Sequence, residues 1–332
     1  LPNGKPVVVN ADGTVSVVET ISDSASTGVA FNSGGADFSN ITFDSNSNKV
    51  VVAYADAGNS SYGTAIVGTV SGTSITFGSE VVFKTATVSY VDLTFDSNSN
   101  KVVIAWRDNT NSGRGTAIVG TVSGDSISFG SAVVFETSEA YSEAITFDSN
   151  SNKVVIAYNI PSSTESKAVV GTVSGTSISF GTPVQFNSSD TDGHGLVFDT
   201  SNNKIVIAYR DDGDSNKGKA KVGTVSGTSI SFGSEAEFNS GNTRKIGASF
   251  DSSSNKVVIV YRDGGNSNYG TAIVGTVSGT SISFGSEVTF NAATTSDKNM
   301  TFDSTNNKVV IVYQDSGNSG HGTAIVGTVS GT

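Results

Sequence analysis

The sequence predicts an all-β fold, a six-bladed β-propeller of four-stranded antiparallel blades. Three observations carry that expectation. First, one unit recurs six times. The Phe that opens the phrase Phe-Asp-Ser or Phe-Asp-Thr falls at Phe43, Phe95, Phe147, Phe198, Phe250 and Phe302, in steps of 52, 52, 51, 52 and 52 residues. Second, each unit divides into four short apolar or β-branched runs separated by Gly, Asn, Asp and Ser turns, the pattern of an antiparallel meander. Third, no segment shows the i, i+3, i+4, i+7 spacing of an amphipathic helix. Tandem four-stranded units of about 40 to 50 residues are the mark of a propeller. A β-solenoid, the rival architecture, uses much shorter coils.

The third copy shows each element in turn. Ala144 to Asp148 is the first strand, A, and Ser149 to Lys153 a polar turn. Val154 to Tyr158 is strand B; it is apolar on both faces, as expected for a strand packed between neighbouring blades. Asn159 to Ser166 is a loop, and Lys167 to Val173 is strand C. Ser174-Gly175-Thr176 turns the chain into strand D, Ser177 to Phe186, with a bulge expected at Gly181. Of the 18 Phe residues, 17 recur at fixed phase in strands A and D and are assigned to the core between copies. Phe38, placed in a loop, is the one Phe with no Phe at the same phase of another copy.

The last copy stops at Thr332 and lacks strand D. Phe31 precedes its marker Phe by 12 residues, as Phe83 does. Thr27 to Phe31 is therefore expected to complete the sixth blade and remove an exposed sheet edge. Residues 21–332 form the propeller in this reading. Residues 1–20 are an extension or hairpin, with Lys5 to Val9 and Thr14 to Val18 flanking an Asp-Gly turn.

Composition excludes several classes of function. The net charge is −11, and the 19 Lys and Arg residues are scattered, which argues against nucleic acid and anionic membranes as partners. The apolar runs are too short to span a bilayer. Cysteine is absent, so neither a disulfide nor a thiolate ligand is available. Leu1 to Asn10 carries no signal-peptide pattern. No cofactor is expected, and the expected state is a monomer.

The repeated phrase Phe-Asp-Ser-Asn-Ser-Asn-Lys-Val-Val-Ile-Ala-Tyr, over residues 27–332, resembles that of highly repetitive bacterial and phage propellers. The resemblance implies the fold and carries no functional residue. The Trp-Asp pair of WD40 blades, the Gly-Gly pair of kelch blades and the Asp box of sialidases are missing.

The copies differ chiefly on one face. The A–B turns (Asp-Ser-Asn-Ser-Asn-Lys) and C–D turns (Val-Ser-Gly-Thr-Ser) are nearly constant. The D–A and B–C loops change from copy to copy, and they hold both histidines (His194 and His321), the four tyrosines outside strand B, and the arginines. Exposed loops drift readily, yet the constant turns also read as surface turns. The variable face is therefore expected to bind a carbohydrate or protein ligand, as a binding or adhesion module rather than an enzyme. Its candidate ligand-binding residues are Phe38, Tyr90, Asp92, Tyr141, Glu143, His194, Arg244 and Lys298.

Two other chemistries are weighed. Asp92 and Glu143 belong to adjacent copies and could serve a glycosidase as its carboxylate pair; solvated loop charges are the commoner state of such residues. A purely structural repeat domain is the remaining alternative. The Asp-x-Asn-x-Asn turns resemble the start of a calcium loop. They place Lys49 or Lys101 where Gly is needed, so Asx-turn capping fits better and no metal site is expected. The repeated Asp56, Asp108, Asp211, Asp263 and Asp315 are expected to tie down the B–C loops.

Overall fold

The computed structural model describes residues 7–9, 15–17 and 28–331; the side chains of residues 7–9, 15–17, 142, 143, 297 and 298 are outside that description. The fold is all-β and propeller-like. Among the described residues there is no α-helix, only two single 3-10 turns at Ala57–Asn59 and Ser316–Asn318. Val7–Val9 pairs antiparallel with Val15–Val17.

Each copy forms an antiparallel meander. In the third copy, strand A (Tyr141–Asp148) pairs with B (Lys153–Ile160), B with C (Glu165–Ser174), and C with D. The strands are longer than the sequence pattern suggests, because the ladder continues past the apolar run into polar residues such as Asn159 and Ser166. Strand D is broken rather than bulged: Ser177–Phe180 and Val184–Asn187 each pair with C. Gly181 sits at the break and donates its N–H to Val170 O at 2.9 Å.

The break glycines have a packing reason. A methyl group at Gly78, Gly130, Gly181 or Gly233 would overlap the backbone carbonyl of Asp125, Thr176, Thr228 or Thr280. Each of those carbonyls lies in the C–D turn of the next copy. The turn of one copy is thus seated in the strand break of the copy before it.

Apolar clusters form between successive copies. Strand B is buried on both faces: Val154, Val155, Ile156, Ala157 and Tyr158 are all at 0% exposure. Ile127, Ile178, Ile230 and Ile282 project from strand D into the core shared with the preceding copy. Each such side chain stabilises the fold by roughly 1.5–3 kcal/mol. The junction between copies six and one differs. Ile41 and Phe43 are each 55% exposed, whereas Leu93, at the phase of Ile41, is 5% exposed. Residues 28–30 are not in a strand, and no ladder joins them to strand C of the last copy, His321–Gly327. Phe31 nevertheless stacks edge-on against Tyr54, with ring centroids 5.2 Å apart. Phe83 packs on Trp106 at 5.0 Å in the same way.

The A–B turns are Asx turns. Asp44 Oδ1 accepts from Asn46 N at 2.9 Å and Ser47 N at 3.1 Å, and Asp96, Asp148 and Asp251 repeat the arrangement. Asp56, Asp211, Asp263 and Asp315 each accept from a B–C loop N–H, which ties the loop to the end of strand B. The marker Phe residues form less of a core than their repetition suggests. With their Thr, Val or Ser neighbours they line a shared cavity of about 560 Å³.

Candidate functional site

Every strand A carries the same irregularity. Two residues stand opposite one aromatic residue of strand B: Phe38 and Ser39 opposite Tyr54, Tyr90 and Val91 opposite Trp106, Gly193 and His194 opposite Tyr209, Lys245 and Ile246 opposite Tyr261. The third and sixth copies have the same register shift, at Ser142–Glu143 and Asp297–Lys298. The first residue of the bulge is left-handed, with φ of 50° at Phe38, 51° at Tyr90, 62° at Gly193 and 52° at Lys245. Glycine adopts this conformation freely; a bulky side chain is strained there. Only the fourth copy uses glycine.

The bulge directs side chains onto the variable face. Phe38 and Tyr90 rings lie 5.3 Å apart, and Tyr90 and Tyr141 rings 5.4 Å apart. Three adjacent copies thus build one row of touching aromatic rings, and Phe38 is 48% exposed at its end. The far end is capped by charge. The Arg107 guanidinium stacks 4.5 Å from the Tyr141 ring centre. It also donates to Glu139 and to Asn109, and Tyr141 Oη donates to Glu139 at 2.8 Å. The hydrogen bond from Arg107, then that from Tyr141, holds the Glu139 carboxyl below its usual range. Sequence reasoning placed Arg107 beside the variable loops but did not pick it out, nor Glu139. Glu139 stands two residues before Tyr141, but no sequence spacing links either of them to Arg107.

The opposite half of the face carries charge instead of rings. Arg210 is clamped by Asp212 at 2.6 Å and Asp192 at 3.2 Å. Arg244 stands directly across the ladder from Arg262 and donates to Asn242 Oδ1 at 3.4 Å. His194 Nε2 lies 2.6 Å from Thr191 Oγ1, and its ring meets Phe186 edge-on at 5.8 Å.

Between the halves lies a central cavity of about 310 Å³. Asn40, Asp92, Ala144, Gly195, Gly247 and Asn299, one residue from each copy at the same phase, line it, with His194 beside them. Asp92 joins two copies here: Oδ1 accepts from Leu93 N at 2.8 Å and Oδ2 from Ile145 N at 3.0 Å. Burial raises its pKa to about 7, opposed by these two N–H donors. Asn299 accepts from Met300 N in the same fashion and donates to Asn40 at 3.4 Å.

The structure therefore brings Phe38, Tyr90 and Tyr141 together, and it places Asp92 and His194 in the central cavity. Arg244 is on the other half of the face. Glu143 and Lys298 lie in strand A, but their side chains are outside the described residues, as is any Asp92–Glu143 separation. Among the described residues, no group of three or more His, Asp or Glu side chains is placed to hold a metal ion. Among the described residues no helix is long and apolar enough to cross a membrane.

No family model matches the chain, and no curated protein matches it. Solved structures do resemble it in fold. The BP39L lectin from Burkholderia pseudomallei superposes with a TM-score of 0.62 at 9% identity, over 86% of this chain and 79% of the lectin. AofleA from Arthrobotrys oligospora gives 0.58 at 8% identity, over 88% and 83%. A protein of unknown function from Dyadobacter fermentans gives 0.57 at 13% identity, over 84% and 90%.

Proposed function

We propose that this chain is a carbohydrate-binding module that presents its variable D–A and B–C loops to a glycan, without catalysis of its own. The observation that carries the reading is the aromatic row Phe38–Tyr90–Tyr141. Sugar C–H faces pack on aromatic rings, and neighbouring Asn, Arg and Glu side chains supply directional hydrogen bonds. Two of the rings occupy strained left-handed positions. Strain retained at a surface position is a pointer to function. The fold shared with a lectin is consistent with this role.

The glycosidase alternative is weaker. Both oxygens of Asp92 are engaged by backbone N–H groups, which suits a strut between copies better than an acid awaiting substrate. In the same proposal residues 21–332 close as a six-bladed propeller, Thr27 to Phe31 completes the last blade, and residues 1–20 form an extension or hairpin. Phe31 packs on Tyr54 as Phe83 packs on Trp106, which supports the phase of this segment, while residues 28–30 make no ladder with strand C of the last copy.

A glycan array and a peptide display screen, run on the intact chain, test the reading. Glycan binding that is lost on changing ring residues is expected. Binding to peptides alone, or to neither, overturns it.

A further inference from the structure

The rings occur on three successive copies, so they form a rail and not three equivalent pockets. We infer that this rail holds a neutral, linear glycan lengthwise across the first three copies. The inference rests on the carbohydrate-binding reading above and specifies its ligand.

Four observations carry it. The ring centroids are evenly spaced, 5.3 Å and then 5.4 Å, with the rings tilted by 42° and 61° to one another, so that they form one continuous apolar ridge. The rings differ in neighbours: Phe38 offers only an apolar face, whereas Tyr141 is flanked by Arg107 and Glu139. The rail therefore has a dry end and a hydrogen-bonding end, which gives a bound chain a direction. Arg107, the guanidinium stacked on the rail, is paired with Glu139, so it offers no net positive charge to a uronate or sulfate. Finally, Phe38 and Tyr90 hold φ of 50° and 51° at a phase where the fourth copy has Gly193 at 62°. The backbone of this bulge is made without a side chain in that copy. A large ring at the same place strains the backbone, and strain kept at a surface position is a pointer to function.

Titration calorimetry with neutral gluco-, manno- and chito-oligosaccharides of one to six residues reads chain length directly. Affinity should rise at least tenfold from one residue to three in the series that fits, then level off. Equal affinity for one and three residues overturns the rail while leaving glycan binding intact. Binding on a glycan array confined to acidic sugars overturns the neutral ligand. Preference for a proline-rich peptide over every glycan, or no glycan binding at all, overturns both the rail and the reading beneath it.

Tyr90→Gly separates a ligand role from a structural one. It should raise the melting midpoint by relieving the left-handed strain, and lower trisaccharide affinity more than tenfold. Tyr90→Phe should keep most of the affinity. A Tyr90→Gly protein that melts lower and binds normally overturns the rail.

Discussion

The hydroxyl of Tyr209 donates to Glu235 Oε2 at 2.6 Å, across the break in strand D. Tyr54–Glu80 and Tyr261–Glu287 repeat this pair at 2.7 and 2.6 Å. In the third copy the Glu position holds Pro183, and Tyr158 instead donates to Glu136 of the preceding copy at 3.1 Å. In the second copy Trp106 replaces Tyr, has no hydroxyl to satisfy, and Ala132 stands at the Glu position. Buried hydroxyls need an acceptor, and the sequence supplies one for Tyr54, Tyr158, Tyr209 and Tyr261.

Removing that acceptor should be costly. Glu235→Ala leaves the Tyr209 hydroxyl without its acceptor and Lys219 without one of its partners, at about 1–3 kcal/mol. Adding Tyr209→Phe should recover part of the loss, so the two changes are less than additive. Urea denaturation of both variants and the double variant measures this.

Glycine changes should separate into two classes. Gly130→Ala drives a methyl group into the Thr176 carbonyl of the next copy, and overpacking of this kind costs about 1–3 kcal/mol or more. Gly124→Ala, at φ +60° with nothing within 4 Å, should cost only about 1 kcal/mol of backbone strain. Melting midpoints that fall equally would contradict the seated-turn geometry.

Stability should depend on pH through Asp92. Its folded pKa, about 7, lies above the ordinary 3.8, so the folded state holds a proton that the unfolded chain releases. The Asp92 contribution is complete below pH about 4 and is lost as pH rises toward 7, after which it is flat. Asp92→Asn should remove that slope. An unchanged profile in the variant would show that other groups set it.

Closure of the ring makes a covalent prediction. In the first copy Val81 pairs with Ala65. By phase the same pairing in the sixth copy joins Val29 to Ala324. In this cysteine-free chain, Val29→Cys with Ala324→Cys should form an intramolecular disulfide, detectable as a mass loss and as free thiol released on reduction. Thiols that stay free, or dimers linked between chains, would argue against closure by this strand.

Much of this architecture is legible in one chain because the repeat is internal: copies compared with one another reveal the strand pattern and the polar turns, whereas the bulge expected at Gly181 is a break and the bulge of strand A left no signal. The site is legible only in part. Phe38 and Tyr90 stand out because they break the repeat. Tyr141 sits at a different phase, and only folding brings its ring beside Tyr90. Arg107 and Glu139 are distant in sequence and meet through strand pairing. One sequence argument also changes. The C–D turns looked like free surface turns that resisted drift, yet Thr176 and Thr228 are packed against the previous copy. Their constancy therefore has a packing cause and says little about the variable face. The left-handed aromatic residues support that face independently.

The seating of one copy's turn in the glycine break of the copy before it has an evolutionary consequence. Copies two, three and four each bring both a plug and a socket of the same shape. Recombination that adds, removes or exchanges one whole unit restores both joints without any compensating change. The surface loops can then be reshuffled as cassettes, and a new combination of rings and charges can arise in a single genetic event, without waiting for point mutations in an intact core.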